Sequence, residues 1–309
     1  MNTAVLINCS ANNGGAKIKW LQIEKMVKAM LPPGTFYIPY ETPCNLDNVI
    51  KSLISNFQVR HFIAAGGDGS VNYLINALAR LNNLVLSEFC IGAIGLGSSN
   101  DFHKPVKHKI KDVPVKINFS NKKYADTGIV NYSGNGQVSK RLFIINASLG
   151  FTAEGNYLFN KGDKIIRFLK FRSTNLAIFW TVLKTFIKYK NISLQIACEG
   201  AKKEMNVTNL SIAKNPNISG SFSYDLSTEP DSGKLGFYLA ENLNKTETLR
   251  LLYQLTKNRF SEFNKCCVKF IQNLVVKSES NIAIETDGEI FMGKHFHFSV
   301  LPKAISIAG

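Results

Sequence analysis

The first 120 or so residues alternate short apolar runs with stretches whose apolar positions recur at helical spacing. AVLIN, TFYIP, HFIAA and CIGAIGLG read as strands, and Lys17 to Leu31, Leu46 to Phe57 and Val71 to Leu81 read as the helices between them. Such alternation predicts an α/β domain over residues 1–122, a parallel sheet with helices on both faces. Beyond Lys122 the texture changes. KYADTGIVNY, an SGNG turn, RLFIINASLG, NISLQIAC, EMNVTNLSIA, KLGFYLAE, FIQNLVVK, NIAIETDGEIFMG and HFHFSVLP are strand-like pieces separated by turn residues. They predict an antiparallel β-sandwich over residues 123–299, interrupted by helical stretches from Asp163 to Tyr189 and from Lys245 to Phe263. The closing segment, about residues 300–309, is expected to return to the first domain.

Two of the strand ends carry glycine-rich loops. In FIAAGGDGSVNYLINAL, Gly66, Gly67 and Gly69 let backbone N–H groups approach an anion, and the following helix presents its positive end. In parallel sheets ligands sit outside the carboxyl ends of strands, which is where both loops fall. Asp68 is the anomaly, since a carboxylate about 4 Å from a phosphate oxygen costs about 4 kcal/mol at an effective dielectric near 20. A cation between the two removes that cost, and a turn residue bonding its own backbone is the other explanation. The second loop, GAIGLGSSNDF, repeats the arrangement: Gly95, Gly97, Ser98 and Ser99 precede Asn100 and Asp101, which are favoured helix caps.

The net charge of +15 changes the picture by requiring an anionic partner. No nucleic-acid-binding signature accompanies the charge, so nucleic acid is not the expected partner. No apolar run reaches the roughly 18 residues that span a bilayer. The stretch DKIIRFLKFRSTNLAIFWTVLKTFIKYK sets Lys164, Arg167, Lys170, Arg172, Lys184, Lys188 and Lys190 among Trp and Phe, with Asp163 as its one acid. It suits an anionic membrane surface, or equally helices packed on the β domain with a solvated basic face. The six cysteines lack CxxC spacing, which argues against a zinc site or a disulfide framework. MNTAVLINCS has no basic start and reads as a strand rather than a secretion signal, so a cytoplasmic protein is expected.

Taken together, GGDGSVN and LGSSNDF, about thirty residues apart, with Asp126 ahead of FIINASLGFTAEG and the late turn Asp287-Gly288-Glu289, resemble the diacylglycerol kinase catalytic family. That family includes bacterial diacylglycerol kinases and sphingosine and ceramide kinases, and the resemblance runs in order over nearly the whole chain. It implies a two-domain fold like that of NAD kinases and diacylglycerol kinases, with ATP in the cleft. It further implies Mg²⁺-dependent transfer of the γ-phosphate to a lipid hydroxyl, foremost diacylglycerol giving phosphatidic acid, by a peripheral protein at the inner face of the membrane. Carried over residue by residue, the nucleotide contacts fall on Thr42, Gly66, Gly67, Asp68, Gly69, Ser70, Val71, Asn72, Gly97, Ser98 and Asn100. Glu289 takes the place of the proton acceptor. Asp287 is expected to raise its proton affinity, and Asp68 is counted with the catalytic carboxylates. Asp68, Asp101 and Asp126 match positions of a metal and water network, and Asp231 matches a structural metal site.

The chain departs from the family pattern in three places. The opening asparagine-proline-x-x-glycine reads NCSANNGG, with Asn8 kept and the proline absent; His103 and Lys104 replace a small residue and an arginine; Asp231-Ser232-Gly233 stands where Asp-Gly is usual. NAD kinases and phosphofructokinases also use a GGDG loop, so a soluble kinase is the competing enzyme reading. A non-catalytic nucleotide or lipid binder is the third. The sequence admits a homodimer without specifying one.

Overall fold

The computed structural model describes residues 2–83, 85–134, 137–162, 164–218 and 222–309, without the side chains of residues 170, 171, 174 and 175. The chain divides into two units, Met1–Asp126 with Lys303–Gly309, and Thr127–Pro302. In the first, β1 (Asn2–Asn8), α1 (Gly15–Met30), β2 (Phe36–Tyr40), α2 (Leu46–Ser55), β3 (Val59–Gly66), α3 (Asp68–Leu81) and β4 (Cys90–Gly95) alternate as the pattern predicts. The strands pair in parallel in the order β2-β1-β3-β4. β3 is apolar and buried from Phe62 to Gly66, as a strand covered on both faces must be. α3 is a core helix, buried from Val71 through Ala79 except at Tyr73. β5 (Lys109–Ile110) and β6 (Val113–Lys116) form a short hairpin whose second strand runs antiparallel to β4.

The second unit holds β7 (Lys123–Gly134, which begins in the first), β8 (Gln137–Phe143), β9 (Asn146–Gly150), α4 (Phe151–Lys161), α5 (Lys164–Arg172), α6 (Thr174–Lys188), β10 (Ile192–Cys198), β11 (Ala201–Ala213), β12 (Asn217–Ile218) and β13 (Phe222–Ser223). β14 (Leu235–Glu241), α7 (Lys245–Thr256), β15 (Cys266–Ile271), β16 (Asn273–Thr286) and β17 (Glu289–Ile307) complete it, the end of β17 running beside β4 in the first unit, where Ser306 pairs with Cys90. The order β15-β14-β11-β10-β16-β17 is antiparallel throughout, with β9 paired to the far halves of β11 and β16. Leu149, Leu210, Ile212, Ile284, Phe296 and Phe298 belong to one buried core.

Three elements differ from their sequence expectation, each for a local reason. RLFIINASLG is two strands rather than one, because the N–H groups of Ile144, Ile145 and Asn146 turn to the Asp287 carboxylate and leave the ladder. The helix from Lys245 stops at Thr256 instead of Phe263: Lys257 N and Arg259 N both donate to Gln254 O, and Asn258 takes a left-handed φ of 56°. The basic stretch is two helices, broken at Ser173, whose hydroxyl accepts from Leu176 N and caps α6. Asp163 and the last two residues of the SGNG turn lie outside the described residues.

Candidate active site

The loops of the first unit meet at the carboxyl ends of β1 to β4. Gly66 O accepts from both Leu96 N (2.8 Å) and Gly97 N (3.1 Å), which zips the two glycine-rich loops together. Their backbones touch glycine to glycine: a Cβ on Gly97 would lie 2.5 Å from Gly67 Cα. Asp68, the first residue of α3, closes the join. Its Oδ2 accepts from Ser99 Oγ (2.8 Å) and Asp101 N (3.0 Å), and its Oδ1 from Phe102 N (2.9 Å). The aspartate therefore tethers the second loop, a use of the charge that neither turn-forming nor metal binding anticipated. Lys19 Nζ donates to Gly97 O (3.2 Å), and Asn100, in left-handed conformation, holds the same residue through Gly97 N and O.

The first loop is tied in without its proline. Asn8 Oδ1 accepts from Ser10 N and Oγ, Asn8 Nδ2 donates to Ser70 Oγ, and Ser10 Oγ donates to Glu41 O, next to the exposed Thr42. Among the residues expected at the nucleotide, Gly67, Asp68, Gly69, Ser98 and Thr42 are at least partly exposed. Gly66, Ser70, Val71, Asn72 and Gly97 are not. Asn72 is 1% exposed and its amide oxygen accepts from Asn76 Nδ2, and Val71 is buried beside it on the turn of α3 that fills the core. Asp101 is buried and paired with Lys104 Nζ at 2.7 Å, and Asp126 accepts from Lys303 N at 2.8 Å, joining the strand that leaves this unit to the one that returns. His103 is also inside, where burial pulls its pKa down to about 4 and leaves it uncharged at neutral pH.

In the second unit the DGE sequence is a two-residue hairpin turn. Thr286 pairs with Glu289, and Asp287 and Gly288 both have positive φ, 47° and 92°. Asp287, 3% exposed, accepts from Ile144 N (2.8 Å), Ile145 N (2.9 Å) and Asn146 N (2.9 Å). It is a structural anchor, and its charge bears on the neighbouring carboxyl of Glu285, a residue the sequence reading missed. Glu285 is buried and accepts from Ser148 Oγ (2.7 Å), Asn146 Nδ2 (3.3 Å) and Gly288 N. Burial first, and the Asp287 charge second, push its pKa up to about 7 against the pull of those donors. Gly288 O accepts from Asn160 Nδ2 of α4, so Gly288 is held through both its N–H and its carbonyl while Glu289 is exposed. The one signal for Glu285 was its place in IAIET, an acid in the buried end of its strand.

The basic stretch presents an apolar stripe outward. On α6, Ala177, Thr181 and Thr185 face inward, and Gly155 of α4 lies against Thr185. Leu176, Phe179, Leu183 and Ile187 are exposed instead, Phe179 by 67%, as are Ile165 and Phe168 of α5. Lys164, Arg167 and Lys188 are exposed on the same two helices. No described helix is long and apolar enough to cross a membrane.

An α/β unit with paired glycine-rich loops on the carboxyl edge of its sheet, followed by an NAD kinase-like β-sandwich, defines a kinase fold. The diacylglycerol kinase catalytic domain profile matches residues 2–128, and the YegS C-terminal NAD kinase beta sandwich-like domain profile matches residues 160–309. The chain belongs to the diacylglycerol kinase catalytic family, and so to a family of phosphotransferases. A Staphylococcus epidermidis protein named "Putative lipid kinase" is 26% identical over 253 residues, 78% of this chain and 74% of that one. The crystal structure of "a putative diacylglycerol kinase" from Bacillus anthracis has a TM-score of 0.72 at 18% identity, over 99% of this chain and 94% of that one. A second B. anthracis diacylglycerol kinase structure gives 0.66 at 14% identity, over 99% and 96%. At those identities the structures speak for the fold.

Proposed function

We propose that this protein is an ATP-dependent lipid kinase that moves the γ-phosphate to the hydroxyl of a lipid alcohol, most simply diacylglycerol, giving phosphatidic acid. The observation that supports it best is the pair of loops zipped at Gly66, Gly67 and Gly97 at the start of α3. The first N–H groups of a helix have no acceptor within it, and Gly67, Asp68 and Gly69 expose that end to a phosphate. Asp68 Oδ1 accepts one hydrogen bond and keeps a lone pair for a Mg²⁺ carried by the nucleotide, which fits an ion that takes one or two carboxylates alongside substrate phosphates. Bound there, Mg²⁺ would neutralise charge on the transferring phosphoryl group. Glu289 is the proton acceptor in this reading: its carboxylate is exposed, and the turn that carries it is fixed by Asp287, Glu285 and Asn160.

The lipid half of the reading rests on α5 and α6. An exposed apolar stripe beside lysines and arginines suits a membrane interface rich in anionic lipid, and a chain of net charge +15 is drawn to one. Incubation with labelled ATP, Mg²⁺ and anionic vesicles containing diacylglycerol should yield labelled phosphatidic acid. Glu289→Gln should lower turnover by about 10²- to 10⁴-fold with unchanged nucleotide affinity. Full turnover in that variant removes Glu289 from the chemistry. Labelled NAD or sugar in place of lipid makes the protein a soluble kinase, and nucleotide binding without any labelled product makes it a binder.

A further inference from the structure

Lysine is among the residues least often buried, because its ammonium must find oxygens to replace the water it leaves. Lys214, the residue after β11, is 8% exposed. Its Nζ donates to Lys234 O (2.8 Å) and Glu229 O (3.1 Å), with Thr228 Oγ1 at 3.5 Å. These oxygens all belong to one loop, which is otherwise a tight turn: Ser232 N and Oγ both reach Glu229 O, Lys234 N donates to Ser232 Oγ, and Gly233 has a φ of 69°.

This is the loop that carries Asp231, the position expected to bind a structural metal. The residues do not fit one. Asp231 is exposed, Ser232 bonds within the turn, and among the described residues no group of three or more His, Cys, Asp or Glu side chains is placed to hold an ion. Mg²⁺ and Ca²⁺ take six or more oxygens, and the two loop carbonyls that converge are already facing a positive charge, which would repel a second cation.

We propose that Lys214 is the resident cation of this loop, its ammonium bridging Glu229 and Lys234 so that residues 228–234 keep their form without any divalent ion. The clamp also reaches the hairpin turn. Lys214 N donates to Ile145 O (2.8 Å), and Ile145 N donates to Asp287 Oδ1 (2.9 Å), so one residue links the clamped loop to the anchor of the turn. This assignment stands whether or not the protein is a lipid kinase, since its readouts need no substrate.

The test is thermal unfolding of the nucleotide-free protein. The wild-type midpoint should be the same in EDTA, Mg²⁺ and Ca²⁺. Lys214→Ala should lower it by about 5 °C, the loss of hydrogen bonds made by a charged group. Propylammonium, which replaces the missing Cγ to Nζ atoms, should restore part of that loss where propanol at equal concentration does not. If Lys214→Ala does not fold, Lys214→Met keeps the volume without the charge, and its residues 228–234 should exchange amide hydrogens faster than the wild type's. A wild-type midpoint that falls in EDTA and returns with Mg²⁺ or Ca²⁺ overturns the proposal. So does a variant that melts with the wild type, or one rescued equally by propanol.

Discussion

Asp68 in the first unit and Asp287 in the second are both the aspartate of an Asp-Gly pair, and each collects three hydrogen-bond donors. Asp68 does so from the start of a helix and remains partly exposed; Asp287 does so from a left-handed turn position at 3% exposure. Both bind backbone that irregular chain leaves without a ladder, which is an obligation of any folded protein before it is chemistry. The difference is water. At Asp68 solvent can replace a lost acceptor, whereas at Asp287 it cannot, so equal hydrogen-bond counts predict unequal costs. Asp→Asn keeps the shape and tolerates left-handed φ, yet turns one acceptor oxygen into a donor. Asp287→Asn should cost about 3 kcal/mol in urea unfolding and Asp68→Asn about 1 kcal/mol. Equal losses in the two variants would show that burial does not separate the sites.

Glu285 sharpens the comparison, because the second unit places a buried carboxyl of raised proton affinity beside its aspartate. The folded protein holds this proton up to about pH 7, while the unfolded chain releases it near the ordinary 4.5. Between those values the folded state binds more protons, so stability falls as pH rises. The contribution is complete below pH 4.5, declines through the window and is flat above 7, for a total of at most about 3 kcal/mol at about 1.4 kcal/mol per unit. Glu285→Gln has no proton to lose. Its stability relative to wild type should therefore climb with pH from 4.5 to 7 in denaturant titrations, and parallel curves for the two proteins would remove Glu285 as the source of the slope.

How far the sequence carried these sites depended on whether the property was local. The parallel unit was readable because β3 ends in the apolar run Phe62 to Ala65 followed by glycines, and α3 has a helical period. The hairpin at Asp287-Gly288 was readable because only a few residue types accept two positive φ values in succession. What Asp68 and Asp287 bind was not, since their partners lie 31 to 34 and 141 to 143 residues away and, apart from the Ser99 hydroxyl, are backbone N–H groups that no side-chain pattern marks. The break in RLFIINASLG was hidden for the same reason. Lys214 and Glu285 were missed because a charged residue in a strand-like run reads as a solvent-facing position until the oxygens or donors around it are known.

The finest distinction falls between two neighbouring serines of the first unit. Ser99 Oγ donates to Asp68 Oδ2 at 2.8 Å, while Ser98 is exposed on the adjacent peptide. Removing a partly exposed hydroxyl bonded to a carboxylate costs about 1 kcal/mol, and removing an exposed one costs within about 0.5 kcal/mol of nothing. Ser99→Ala should therefore unfold at lower urea than Ser98→Ala. Nucleotide titration should rank them the other way if Ser98 contacts the nucleotide, because Ala at 98 deletes a ligand bond while Ala at 99 leaves two backbone N–H groups still fastening the loop to Asp68. If Ser99→Ala is neutral on both measures, those two N–H groups hold the loop alone, and the hydroxyl is the one donor of the six around these aspartates that contributes nothing.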